Sequence, residues 1–132
     1  MTRKLKSTEI KTLRLELLKK QNHICPLCNQ VIPEDDAALD HNHENGMVRG
    51  VLHLGCNGAE GRILKAFVRS GASKRTDIKD FLTNLLEYYR IHEQDPSGLL
   101  HNTHLTENER KALAAKRRKA KAKAKENSKK ET

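Results

Sequence analysis

The chain has 132 residues, no tryptophan and only four aromatic residues, Phe67, Phe81, Tyr88 and Tyr89, and a third of it is charged. That bounds it to one domain with a tail, holding a small apolar core of the kind that needs a staple such as a metal. The net charge of +9 is uneven: residues 110–132 carry 11 Lys or Arg against 2 Glu, and residues 1–109 balance to zero.

Nothing long and apolar enough to span a membrane is present, and the opening MTRKLKSTEI has no apolar signal core. The expected location is therefore the cytoplasm. Three cysteines cannot close a complete disulfide framework, so metal ligation is the better reading of them.

Residues 7–20 are predicted as a helix, capped by Ser7 or Thr8, with Ile10, Leu13, Leu17 and Leu18 on one face. It ends at Gln21-Asn22, before the Cys25-Pro-Leu-Cys28 knuckle. Residues 29–38 read as a polar loop with Pro33 and three successive acids. A hairpin follows, Ala38 to His41 against Met47 to Leu52, with Asn45-Gly46 as a type I′ turn signal.

A helix is expected from Leu54 to about Arg69, ended by Gly71. Strand, turn, strand and helix make a ββα unit with the candidate ligand pairs at its edges. Another helix runs from about Asp77 to Glu93, capped by Thr76 or Asp77. Its stripe of Ile78, Phe81, Leu82, Leu85, Tyr88 and Tyr89 reads as core packing, with a homodimer seam as the sharper alternative. Residues 95–105 form a linker. Thr106 and Glu109 then make a capping box for a helix rich in Ala, Lys and Arg, from Arg110 to Lys125. Such a segment suits a polyanion, with nucleic acid the first candidate. The expected division is a zinc-stapled domain over 1–94 and a linker and basic tail over 95–132.

Zinc takes tetrahedral sulfur and nitrogen ligands. Cys25 and Cys28 form one pair, and His53 and Cys56 at a helix start form the second. His53 is favoured as fourth ligand because its spacing to Cys56 matches that of the first pair; His23, His41 and His43 are the rivals. Between the pairs lies Asp40-His41-Asn42-His43, and Asn57 follows Cys56. Cutting a phosphodiester needs an activated water and stabilisation of charge on the phosphate and the leaving oxygen. Asp40 and Asn57 offer oxygen ligands for magnesium or manganese, and histidine trades a proton near neutral pH. Neighbouring strand residues point to opposite faces, so Asp40 and His41 can share a site only where the strand twists or ends.

Leu39-Asp40-His41-Asn42-His43, then Val48-Arg49-Gly50-Val51-Leu52, then Cys56-Asn57-Gly-Ala-Glu60-Gly61 together resemble the phage recombination endonuclease VII family of HNH, or ββα-metal, nucleases. The resemblance covers roughly residues 10–93. It implies a mostly helical α+β fold with a ββα-metal core, a structural zinc, a catalytic magnesium and hydrolysis leaving 5′-phosphate ends. It implies Asp40 and Asn57 on magnesium and His41 as general base. His43 and Glu60 match positions that assist the metal or the phosphate. The family's zinc usually has four cysteines, and here His53 stands at one of those positions. A non-catalytic, zinc-stapled nucleic-acid-binding module would need only the zinc ligands and the tail.

Overall fold

The computed structural model describes residues 2–131. Residues up to 87 form one compact unit and residues from 88 form a second. The first holds helix α1 (Ser7–Lys20), strands β1 (Ala37–His41) and β2 (Val48–His53), helix α2 (Leu54–Arg69) and the start of helix α3 (Ile78–Gln94). The second holds the rest of α3 and helix α4 (Glu107–Lys130).

The helix α1 has the predicted bounds but a different cap. Glu9 accepts a 2.7 Å hydrogen bond from the Lys6 N–H and is clamped by Arg3, so neither Ser7 nor Thr8 caps the helix. The carboxylate reaching back from the third position satisfies an N–H that the helix itself leaves without a partner. The side-chain bond to Arg3, then the Lys6 N–H, holds Glu9 down at about 2. The helix stops where Asn22 and His23 take left-handed φ values of 51° and 58°. That conformation is disfavoured for L-residues and least so for Asn.

The chain then makes the knuckle, in which the Cys25 N–H donates to the Gln30 carbonyl and the Asn29 N–H to the Cys25 carbonyl. The hairpin differs from its prediction in one respect. Gly46 has φ +73°, but Asn45 is not at positive φ, so this is not a type I′ turn. Residues 42–47 form a longer loop in which the Gly46 N–H donates to the Asn42 carbonyl at 2.8 Å. The Asn42 side chain accepts from the N–H groups of Glu44 and Asn45, which stabilises the wider loop over the tight one.

Strands β1 and β2 pair antiparallel, with Leu39 opposite Val51 and Asp40 opposite Gly50. His41 then faces Val48, so Arg49 is an extra residue on β2 and the ladder bulges there. The fully buried side chains are Leu18, Cys25, Ile32 and Val51; with Ala37 and Leu52 they form the core. A prospective metal ligand thus sits inside a core of six residues.

The helix α2 ends with Gly71 in the left-handed conformation, φ +82°. Asp77 caps α3 by accepting from the Lys79 N–H at 2.8 Å. The start of α3 meets α2 through Phe67 and Phe81, whose ring centroids are 5.2 Å apart. Ile78, Leu82 and Leu85 line a cleft against α2 beside these rings, whereas the far end of the stripe, Tyr88 and Tyr89, is exposed, as are Leu86 and Ile91 next to it. In the second unit, Thr106 and Glu109 form the expected capping box at the start of α4. No residue of α4 is buried.

Candidate functional site

Two clusters of chemically active side chains flank the hairpin. The first joins the knuckle to the junction of β2 and α2. Donor atoms of Cys25, Cys28, His53 and Cys56 all lie within 4.8 Å of one another. Nδ1 of His53 is 3.4 Å from the Cys28 sulfur and 3.9 Å from the Cys56 sulfur. Zinc bonded at about 2.3 Å to sulfur and 2.0 Å to nitrogen would place tetrahedral ligands about that far apart. His53 donates from Nε2 to the Val31 carbonyl at 2.9 Å, which leaves Nδ1 free to ligate and fixes the ring. The cluster could hold a structural zinc, and His23, His41 and His43 lie outside it.

The electrostatics of Cys25, His53 and Cys56 suit a cation. Burial pushes the Cys25 thiol up, but N–H groups of His53, Cys28 and Leu27 outweigh it and bring the thiol down to about 6. Burial, then the neighbouring Cys28 and Cys25, pushes Cys56 up to about 11. His53 is raised, chiefly by Cys25 and then by the Val31 carbonyl. Three crowded sulfurs cannot all ionise cheaply without a positive charge between them.

The second cluster lies where β1, β2 and α2 meet. Asp40 is the one charged side chain buried among the described residues. Arg49 donates to it through two bonds, Nε to Oδ2 at 2.7 Å and Nη2 to Oδ1 at 2.9 Å. The same Nη2 lies 3.1 Å from Oε1 of Glu60. His43 Nε2 meets the other Glu60 oxygen, Oε2, at 3.1 Å. The His41 ring is 5.6 Å from the His43 ring, centroid to centroid. The guanidinium of Arg49 is held well above its ordinary range, chiefly by the Asp40 hydrogen bonds; burial opposes this and the Glu60 bond adds to it.

The bulge explains this arrangement. Residues directly opposite in an antiparallel pair share a face. In regular register Arg49 would sit opposite His41, away from Asp40. Slipping by one at Asp40/His41 pairs His41 with Val48 and frees Arg49 to turn towards Asp40. His41 itself keeps the face of Leu39. Both line a cleft of about 590 Å³ whose other walls include Ile10 and Leu13 of α1 and the segment from Thr2 to Leu5.

Asp40, Glu60 and His43 are therefore brought together, with His41 at the edge of the group. Asn57 sits half-buried on α2, three residues before Glu60, and among the described residues its side chain forms no hydrogen bond. Two contributors were not singled out from sequence. Arg49 stands in the sequence only as part of the Val48–Leu52 motif, although its place opposite an acid-histidine pair is a usable signal. Gln21 gave no signal: its amide spans from α1 to both backbone polar groups of Val51.

Set against known protein families, the profile described as recombination endonuclease VII matches residues 1–91. The match takes in α1, the knuckle, the hairpin, α2 and most of α3, and α4 lies beyond it.

Proposed function

Because the chain belongs to the recombination endonuclease VII family, we propose that residues 1–94 form a metal-dependent DNA endonuclease of the HNH, or ββα-metal, type. The observation that carries this reading is the group of Asp40, Glu60 and His43 around one guanidinium, with His41 beside it. Arg49 is a cation already seated between two carboxylates, so the donors suit positive charge. Asp40, with the amide oxygen of Asn57, would hold magnesium or manganese, which take oxygen ligands. The bound ion would supply charge stabilisation at the phosphate and the leaving oxygen.

The chain's own groups do the remaining work. His41, exposed at the rim of its cleft, takes a proton from water as general base. His43, tied to Glu60, is held facing the same region and assists at the phosphate. Zinc on Cys25, Cys28, His53 and Cys56 would fix the start of α2, and with it Asn57 and Glu60. Residues 95–132 act as a linker and basic tail in which α4 holds the phosphate backbone without reading bases. The exposed end of the α3 stripe supports a homodimer seam. Nicking or resolving branched DNA fits the same site. No helix of the described residues is long and apolar enough to cross a membrane.

The test is conversion of supercoiled plasmid with Mg²⁺. The natural chain should yield nicked or linear forms and His41→Ala should not. Equal cutting by both, or no cutting of linear, branched or single-stranded DNA with Mg²⁺ or Mn²⁺, rejects the proposal.

A further inference from the structure

All four carboxylate oxygens of Asp40 and Glu60 are taken by donors of the protein itself. Arg49 holds both oxygens of Asp40 and one of Glu60, and His43 holds the fourth. A buried carboxylate needs a compensating charge, and here the guanidinium provides it. A divalent cation arriving at Asp40 meets a positive charge bonded to both ligand oxygens. It must displace Arg49 or bind beside it against repulsion.

The Arg49 side chain is 40% exposed and that of Asp40 only 8%. The acid is enclosed while its partner faces outward, where a phosphate could engage it. Guanidinium binds phosphate through the same paired donors it uses for carboxylate. We infer that Arg49 is an internal counter-ion that couples the two ligands of this site. A nucleic-acid phosphate draws Arg49 off Asp40 and so raises the affinity for a divalent cation, and the cation in turn raises affinity for the phosphate. This coupling is reciprocal by thermodynamic necessity. Arg49 acts as a positioning residue in this scheme, and the inference rests on the reading of Asp40 as a cation ligand.

The experiment measures Mn²⁺ affinity, by electron paramagnetic resonance of free Mn²⁺, in the full zinc-loaded chain carrying His41→Ala to prevent cutting. Binding is measured with and without a short DNA duplex, and Asp40→Asn supplies the background to subtract. Arg49→Gln should bind Mn²⁺ about fivefold or more tightly without DNA, and DNA should then add little; with Arg49 present, DNA should tighten Mn²⁺ binding by a similar factor. Mn²⁺ should also raise the melting temperature of Arg49→Gln by more than that of the Arg49 chain. Unchanged or weaker Mn²⁺ binding by Arg49→Gln, where Asp40→Asn abolishes it, overturns the inference and leaves the nuclease reading standing. No Asp40-dependent Mn²⁺ binding in any form, with or without DNA, overturns both. Should Arg49→Gln lose its zinc or its fold, Arg49→Lys replaces it. Lysine keeps the charge but not the paired donors, so it should tighten Mn²⁺ binding by a smaller factor, and no tightening refutes the coupling.

Discussion

The side-chain amide of Gln21 pairs with both backbone polar groups of Val51. Its Oε1 accepts from the Val51 N–H at 2.7 Å and its Nε2 donates to the Val51 carbonyl at 2.8 Å. The amide therefore occupies, at one residue, the place of a neighbouring strand on the free edge of β2. It also fastens the end of α1, just before the knuckle, to the strand that carries His53.

Removing this clamp should loosen the whole metal-binding half of the first unit. Gln21→Ala leaves two partly buried backbone groups without partners, and a loss of about 1–3 kcal/mol in folding stability is expected. Gly50→Ala tests the same contact from the other side, since a Cβ there would lie 2.9 Å from Gln21 Oε1 and push the amide away. Urea unfolding of the zinc-loaded chain measures both. A Gln21→Ala midpoint equal to that of the natural chain would mean the amide contributes nothing.

At the zinc cluster, His53→Ala and His53→Cys should behave oppositely. Alanine removes one of four donors, and zinc retained through dialysis should fall, with affinity at least tenfold weaker. Cysteine restores a four-donor site of a common structural type and should retain one zinc. Val31→Pro is not a useful control, because it would disturb the bridge between Ile24 and Val31. Metal analysis after dialysis against a weak chelator decides the matter. Loss of zinc from the cysteine form but not the alanine form would contradict the ligand assignment.

The parts that were legible in sequence are those set by local chemistry. The bounds of α1 and α2, the cap at Asp77 and the box at Thr106 and Glu109 follow from short-range patterns. The pairing of His53 with the three cysteines followed from equal spacing at a helix start. What was hidden depended on register and partners. A period of two puts Arg49 opposite His41, and only the bulge brings it to Asp40. An apolar stripe on α3 reads the same whether its partner is the chain's own core or another surface; here Ile78, Phe81, Leu82 and Leu85 lie along α2, while Tyr88 and Tyr89 are exposed. Gln21 looks like an ordinary polar residue at a helix end, because its partner is thirty residues away.

Acidification should reveal the role of Glu9. Its carboxyl is held at about 2, against an ordinary value of 4.5, first by the bond to Arg3 and then by the Lys6 N–H. A depressed acid stabilises the fold fully above its unfolded value and loses that contribution as pH falls towards the folded one. Glu9→Gln should therefore be less stable than the natural chain at neutral pH, and the gap should narrow between about pH 4.5 and 2. Any loss of zinc in acid is common to both chains and cancels in the difference. Denaturation midpoints taken at several pH values provide the comparison, and a gap independent of pH would show that the Glu9 charge does not stabilise α1.

The tail prediction follows from charge and shape together. The helix α4 has 24 residues and would extend about 36 Å at the usual rise, with no buried side chain to fold around. Its helicity rests on alanine, the capping box and pairs such as Lys111 with Glu107, so a polyanion has a charged rod to bind rather than a packed surface. Each phosphate contact it makes should release counterions, with a slope of about −0.9 in log affinity per decade of salt for B-DNA. Deleting residues 110–132, which carry 11 of the 26 basic residues, should weaken duplex binding at low salt and flatten that slope. The truncated chain should still hold its zinc, since all four candidate ligands lie in the first unit. Filter binding across a salt series gives the slope directly. A truncated chain with the slope of the full one would place the DNA contacts elsewhere, on the first unit.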